Sequence, residues 1–195
     1  ELVTDKFNPR TDAIPVATFL ARQYDWMNKK TTAAPQRIAR KLRTWAKQYS
    51  KGMRVLRRCD TQAPVCVYIL YPVACESEDN FFLPPSKSLH MSTASTTDPF
   101  NIAKPGDDDC TSLFIRSFQI DSQHLQHSSL CQLLEDARQT LITMQTDFPF
   151  LCDLYTLTIH PFAQSLALAM GFQKTNQDPQ MSLYWMYMPL DNYLT

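Results

Sequence analysis

Glycine is scarce in this chain. Gly52, Gly106 and Gly171 are the only three in 195 residues, against an average usage of roughly 7%. Neither a GxGxxG dinucleotide fingerprint nor a GxxxxGK[ST] phosphate loop can be spelled with three scattered glycines, so both are excluded. A surplus of one charge is missing too, since 19 Lys and Arg meet 19 Asp and Glu. No apolar run approaches the roughly 20 residues of a membrane helix, and no charged-then-apolar secretory leader opens the chain. The six cysteines (Cys59, Cys66, Cys75, Cys110, Cys131, Cys152) stand singly with no CxxC pair. They read as buried free thiols in a reducing compartment rather than as a disulfide framework. The expectation is a cytoplasmic protein with no membrane anchor. The chain opens on Glu1 rather than methionine, which leaves room for residues ahead of it.

What is present is core material: 44% hydrophobic and 11% aromatic residues over 195 positions. That length buries enough surface to fold without a staple and reads as one domain over 1–195. After an apolar opening (Leu2, Val3, Phe7), Thr11 or Asp12 is placed to cap a helix over about 12 to 29. Ile38, Leu42, Trp45 and Tyr49 recur at helical spacing in a second helix that Gly52 stops. Met53 to Leu56 and Val65 to Val73 are β-branched and aromatic with Asp60-Thr61-Gln62 between them, and read as a hairpin. Regular pattern then disappears into a long irregular loop at about 76–110, closed by Pro105-Gly106-Asp107-Asp108-Asp109. A strand over Ser112 to Ile120 and a helix over about 128 to 146 follow. Then come a strand over Phe150 to Ile159, a short helix from Pro161 to Met170 ended by Gly171, and a final strand over Ser182 to Met188.

Strand, two helices, hairpin, strand, helix, strand, helix, strand is an α/β (α+β) order with a mixed sheet. The tail reads His160, Ala163, Leu166, Ala167, Gly171-Phe172, and then Tyr184-Trp185-Met186-Tyr187-Met188-Pro189-Leu190. In this it resembles the GNAT superfamily of N-acyltransferases, whose fourth helix often ends N-x-x-A-x-x-L-Y-x-x-x-G-F before a strand Y-x-M-x-x-x-L. The resemblance implies a mostly antiparallel central sheet flanked by helices, and transfer of an acyl group from acetyl-CoA or another acyl-CoA to an amine. It also implies that the turn after the Ser112 to Ile120 strand holds the coenzyme pyrophosphate on backbone N–H groups at a helix start. The family's R/Q-x-x-G-x-G/A then falls on Leu125, Gln126, His127, Ser128, Ser129 and Leu130, behind Phe118 and Ile120. Both glycine places carry side chains, Ser128 and Leu130. A register shifted by two puts Gln123 first and still finds no glycine. Glycine lets a phosphate approach the backbone, so Ser is a small intrusion and Leu a large one. His124 and His127 add charge at this turn. The family's tyrosine acid before G-F is Ala167 here, which has no proton to give.

His160 and Tyr155, at or near the end of the fifth strand, are the candidates to relay a proton during amine attack, against a capping role for His160. His124, His127 and Cys131 share one helical edge at i, i+3 and i+7, but nothing supplies the further ligand a metal wants. Residues 26 to 59 hold eleven cations and no acid: Lys29, Lys30, Arg37, Arg40, Lys41, Arg43, Lys47, Lys51, Arg54, Arg57 and Arg58. This 29–58 segment fits an anionic partner, nucleic acid among them, or else a solvated face paired with acids such as Asp107 to Asp109. Three functions stand: an N-acyltransferase with an unknown amine acceptor, a catalytically silent binding or regulatory module of the same fold, and a nucleic-acid-binding domain.

Overall fold

A computed structural model describes residues 1–27, 35–89, 97–158 and 160–195, without the side chains of 23–27. Its strands form one seven-stranded sheet, mostly antiparallel and flanked by helices, in the order β1-β2-β3-β4-β5-β7-β6. The chain divides into two compact units, Glu1–Leu70 with Ser117–Met144, and Tyr71–Arg116 with Gln145–Thr195.

In the first unit β1 (Leu2–Lys6) pairs antiparallel with β2 (Met53–Arg58), and β2 forms the expected hairpin with β3 (Pro64–Val73). Gly52 precedes β2 because a Cβ there would collide with the Leu70 carbonyl oxygen. Asp12 starts α1 (Ala13–Met27): its carbonyl receives the Val16 N–H at 2.9 Å, and its carboxylate receives the Asn8 N–H at 2.7 Å. The same carboxylate, 1% exposed, grips the Arg57 guanidinium with two bonds of 2.6 Å. A buried charge needs such a partner to remain charged. Helix α2 (Pro35–Gln48) turns Ile38, Ala39, Leu42, Trp45 and Ala46 inward. It ends four residues before Gly52, because Ser50–Gly52 tightens into a 3-10 turn. The expected Lys29 and Lys30 lie outside the described residues.

In the second unit the β4 (Ser112–Ile120) and β5 (Asp153–Thr158) strands run parallel, pairing Ser112 to Ile115 with Asp153 to Thr156. After α4 (Pro161–Met170), β7 (Tyr184–Pro189) pairs antiparallel with both β5 and β6 (Gln173–Gln177). Gly171 closes α4 at φ 106°, the left-handed conformation that glycine adopts without strain. The core is aromatic: Phe81, Phe114 and Trp185 meet at 5.0 to 6.1 Å, and Phe81 stacks on Tyr155 at 3.9 Å.

Several expectations need correction. Among the described residues, the 76–110 segment carries most of a 3-10 helix that begins just ahead of it, Cys75–Phe82, and a second, Pro85–Ser88, and sends Phe81 into the core; residues 90–96 of that expected loop lie outside the described residues. Strand β5 starts at Asp153 rather than Phe150, which is 58% exposed in the preceding turn. Strand β6 and the terminal α5 (Leu190–Leu194) were not expected. Only Cys66 and Cys110 are buried, and burial pushes each thiol up to about 12, while the other four cysteines are exposed.

Candidate functional site

The first unit places the expected coenzyme turn between β4 and α3 (His127–Asp147). Within it Phe118 stacks on Tyr68 at 6.4 Å between ring centroids, and Ile120 is buried. The turn folds back on itself, with the His124 N–H on the Asp121 carbonyl at 2.8 Å and the Leu125 N–H on the Ser122 carbonyl at 3.5 Å. Ser129 closes it. The residue is 4% exposed, and its hydroxyl receives the Gln126 N–H at 3.1 Å and donates to the His124 carbonyl at 2.7 Å. Ser129 is therefore the third-position partner of a helix cap, and its hydroxyl is committed inward. The first intrahelical bond is Leu130 N–H to Gln126 carbonyl at 3.0 Å. The N–H groups of His127, Ser128 and Ser129 point past the helix start with no partner among the described residues. They are the donors a phosphate needs, at the positive end of a 21-residue helix.

Side chains frame those donors. His127 and Ser128 are exposed, Leu125 is 44% exposed and Leu130 half-buried. The His127 Nε2 lies 3.5 Å from the Cys131 Sγ, and the His124 Nδ1 lies 3.7 Å from an Asp121 carboxylate oxygen. Among the described residues, His124, His127 and Cys131 do not gather with other His, Cys, Asp or Glu side chains into a group of three.

The second unit places both proton candidates. His160 caps α4, its Nδ1 receiving the Phe162 N–H at 3.1 Å. In the neutral ring that leaves Nε2 carrying the hydrogen. Ala167, in the tyrosine place, is buried. Tyr155 is half-buried on β5 opposite Tyr187 of β7. Burial, then the charges of Asp153 and Glu78, push its hydroxyl above the ordinary phenol value, and it stays protonated at neutral pH. The Tyr187 hydroxyl donates to Asp153 at 2.7 Å, and that bond holds its proton in place. Glu78 receives the Thr111 hydroxyl at 3.0 Å and the Ser112 hydroxyl at 3.3 Å.

Asp153 and Glu78 were missed in the sequence. Asp153 was within reach of it, because positions i and i+2 of a strand share a face and Tyr155 was already a candidate. Glu78 had no such signal, since 33 residues separate it from Thr111.

No family model matches this chain, and no curated protein matches it in sequence. Solved structures do. An acetyltransferase of the GNAT family from Staphylococcus aureus is 12% identical at a TM-score of 0.61, with 97% of this chain and 99% of that one covered. A PaiA N-acetyltransferase from Thermoplasma acidophilum, solved in complex with coenzyme A, is 8% identical at 0.60 over 97% and 99%. Ard1 from Thermoplasma volcanium is 11% identical at 0.56 over 96% and 97%. At such identities the likeness establishes the fold.

Proposed function

We propose that this chain, which has the GNAT fold, is an N-acyltransferase that moves an acyl group from coenzyme A to an amine. The observation that carries the reading is the open start of α3, where His127, Ser128 and Ser129 present backbone N–H groups directly after β4. These three donors fit a pyrophosphate oxygen, with the exposed His127 ring adding charge when protonated. Acyl-coenzyme A, when bound, supplies the activated thioester. The chain's own residues then handle charge and protons. Asp153 and Glu78 set a negative field around Tyr155, which attracts a cationic amine. The Tyr155 hydroxyl and the His160 Nε2–H act as donors toward developing negative charge. His160 relays a proton only by releasing its cap on Phe162, which costs about 1 kcal/mol.

Ala167 favours the second reading, a silent module of the same fold, because the alanine methyl group cannot protonate a leaving thiolate. Calorimetric titration of acetyl-CoA at low and moderate salt separates the two. Micromolar binding supports transfer, and no binding at millimolar cofactor leaves the silent module. The S128G/L130G variant is expected to bind acetyl-CoA more tightly, since it removes the side chains from the two places where the family motif has glycine.

A further inference from the structure

The basic 29–58 segment divides between two roles. The cations on β2 are paired: Arg54 with Asp136 at 2.8 Å, Arg57 with Asp12 at 2.6 Å and Asp5 at 2.8 Å, and Arg58 with Asp60 at 2.6 Å. Those on the outer face of α2 are different. Its exposed positions are Gln36, Arg40, Arg43, Thr44, Lys47 and Gln48, one continuous stripe at helical spacing. Three of the six are cations, none is apolar, and α2 contains no acid. No ion pair among the described residues involves Arg40, Arg43 or Lys47. Arg43 instead donates to the Pro9 carbonyl at 3.4 Å, in the turn that carries the exposed Arg10.

We propose that this stripe docks the phosphate backbone of a nucleic acid. A protein partner is a poorer fit, because stable protein interfaces centre on aromatic or aliphatic anchors and the stripe offers none. Insertion into a membrane interface needs an apolar helix face turned outward. The apolar face of α2 is consumed inside, with Trp45 3% exposed and Tyr49, directly after the helix, 6% exposed. Their burial also removes the platforms on which bases stack, so recognition is of backbone and indifferent to sequence. From Arg40 to Lys47 the helix rises about 10 Å, enough to meet about three phosphates of one strand at ~3.4 Å each. Arg40 and Arg43 offer two-pronged N–H donors, and Lys47 a point charge.

The test is fluorescence anisotropy with a labelled duplex DNA of about two helical turns, from about 50 to about 200 mM salt. The comparison is between R40Q/R43Q/K47Q and K6Q/K87Q/K104Q, which remove equal charge from exposed positions on and off the stripe. The stripe variant is expected to bind at least about tenfold more weakly at low salt, with the slope of log K against log salt flattened by about 2 to 3, near 0.9 per lost contact. The off-stripe variant and R40K/R43K keep most of the affinity. Absence of binding at low salt, or equal losses in the two triple variants, overturns the proposal. Displacement by polyglutamate as effective as displacement by DNA, or stripe-dependent capture on anionic vesicles, overturns the assignment to nucleic acid. None of these outcomes depends on acetyl-CoA.

Discussion

Asp178 shows how much one side chain organises in the second unit. It is 3% exposed, and its carboxylate receives the N–H groups of Ser86 at 2.9 Å, Gln180 at 2.9 Å and Met181 at 3.1 Å. The Pro85–Ser88 turn is thereby tied to the β6–β7 connection. These bonds, that from Ser86 first, hold the carboxyl below its ordinary value of 3.8. A folded-state value below the unfolded one contributes stability above the unfolded value, and the contribution is lost as pH falls through the folded one. Asp178→Asn is therefore expected to lower the urea midpoint at pH 7, with a gap from the parent that shrinks as pH drops below 3.8. A gap of equal size at pH 7 and pH 3 would contradict this. Ser129 and His160 teach a related lesson: each is a polar residue at a helix start whose side chain is engaged by backbone there, Ser129 with the turn ahead of α3 and His160 with the first turn of α4.

At the scale of the element, α3 matters most, because its start is the candidate phosphate site and its flank fixes its pose. The Tyr68 hydroxyl lies 2.6 Å from Asp136 and 2.7 Å from Thr140, and Arg54 holds Asp136 with bonds of 2.8 and 3.2 Å. Gln132 adds a bond to the Leu2 carbonyl at 3.1 Å. Tyr68→Phe removes the hydroxyl while Arg54 still satisfies Asp136, so a stability loss of about 1 kcal/mol is expected in urea denaturation. A loss above about 3 kcal/mol would mean that Asp136 depends on the tyrosine rather than on the arginine. The elements that periodicity found were those with an apolar face: both early helices, the hairpin, β4, α3 and β7. Strand β6 reads Gln-Lys-Thr-Asn-Gln, an edge strand with no alternation to detect.

On the scale of the whole molecule, a neutral total of 19 cations and 19 acids conceals a partition. Acids neutralise β2, while among the described residues no ion pair reaches Arg40, Arg43 or Lys47 on the outer face of α2. Despite its pI of about 7.1, the protein is expected to be retained on a cation-exchange resin at pH 7 and low salt. R40Q/R43Q/K47Q should elute before K6Q/K87Q/K104Q although their net charges are equal, and co-elution would mean that total charge alone governs retention. No described helix is long and apolar enough to cross a membrane, as the absence of long apolar runs led one to expect. Sequence alone determined the order of the elements with an apolar face, the hairpin, the Gly171 stop and the GNAT resemblance, because apolar period, caps and turn residues act over a few neighbouring positions. Tertiary structure decided which cations are neutralised, which N–H groups stay open at α3, and what Asp153 and Glu78 surround. Those outcomes depend on partners far apart along the chain, 45 residues for Arg57 with Asp12 and 82 for Arg54 with Asp136. Only folding brings such groups within the short range over which a hydrogen bond or a buried ion pair forms.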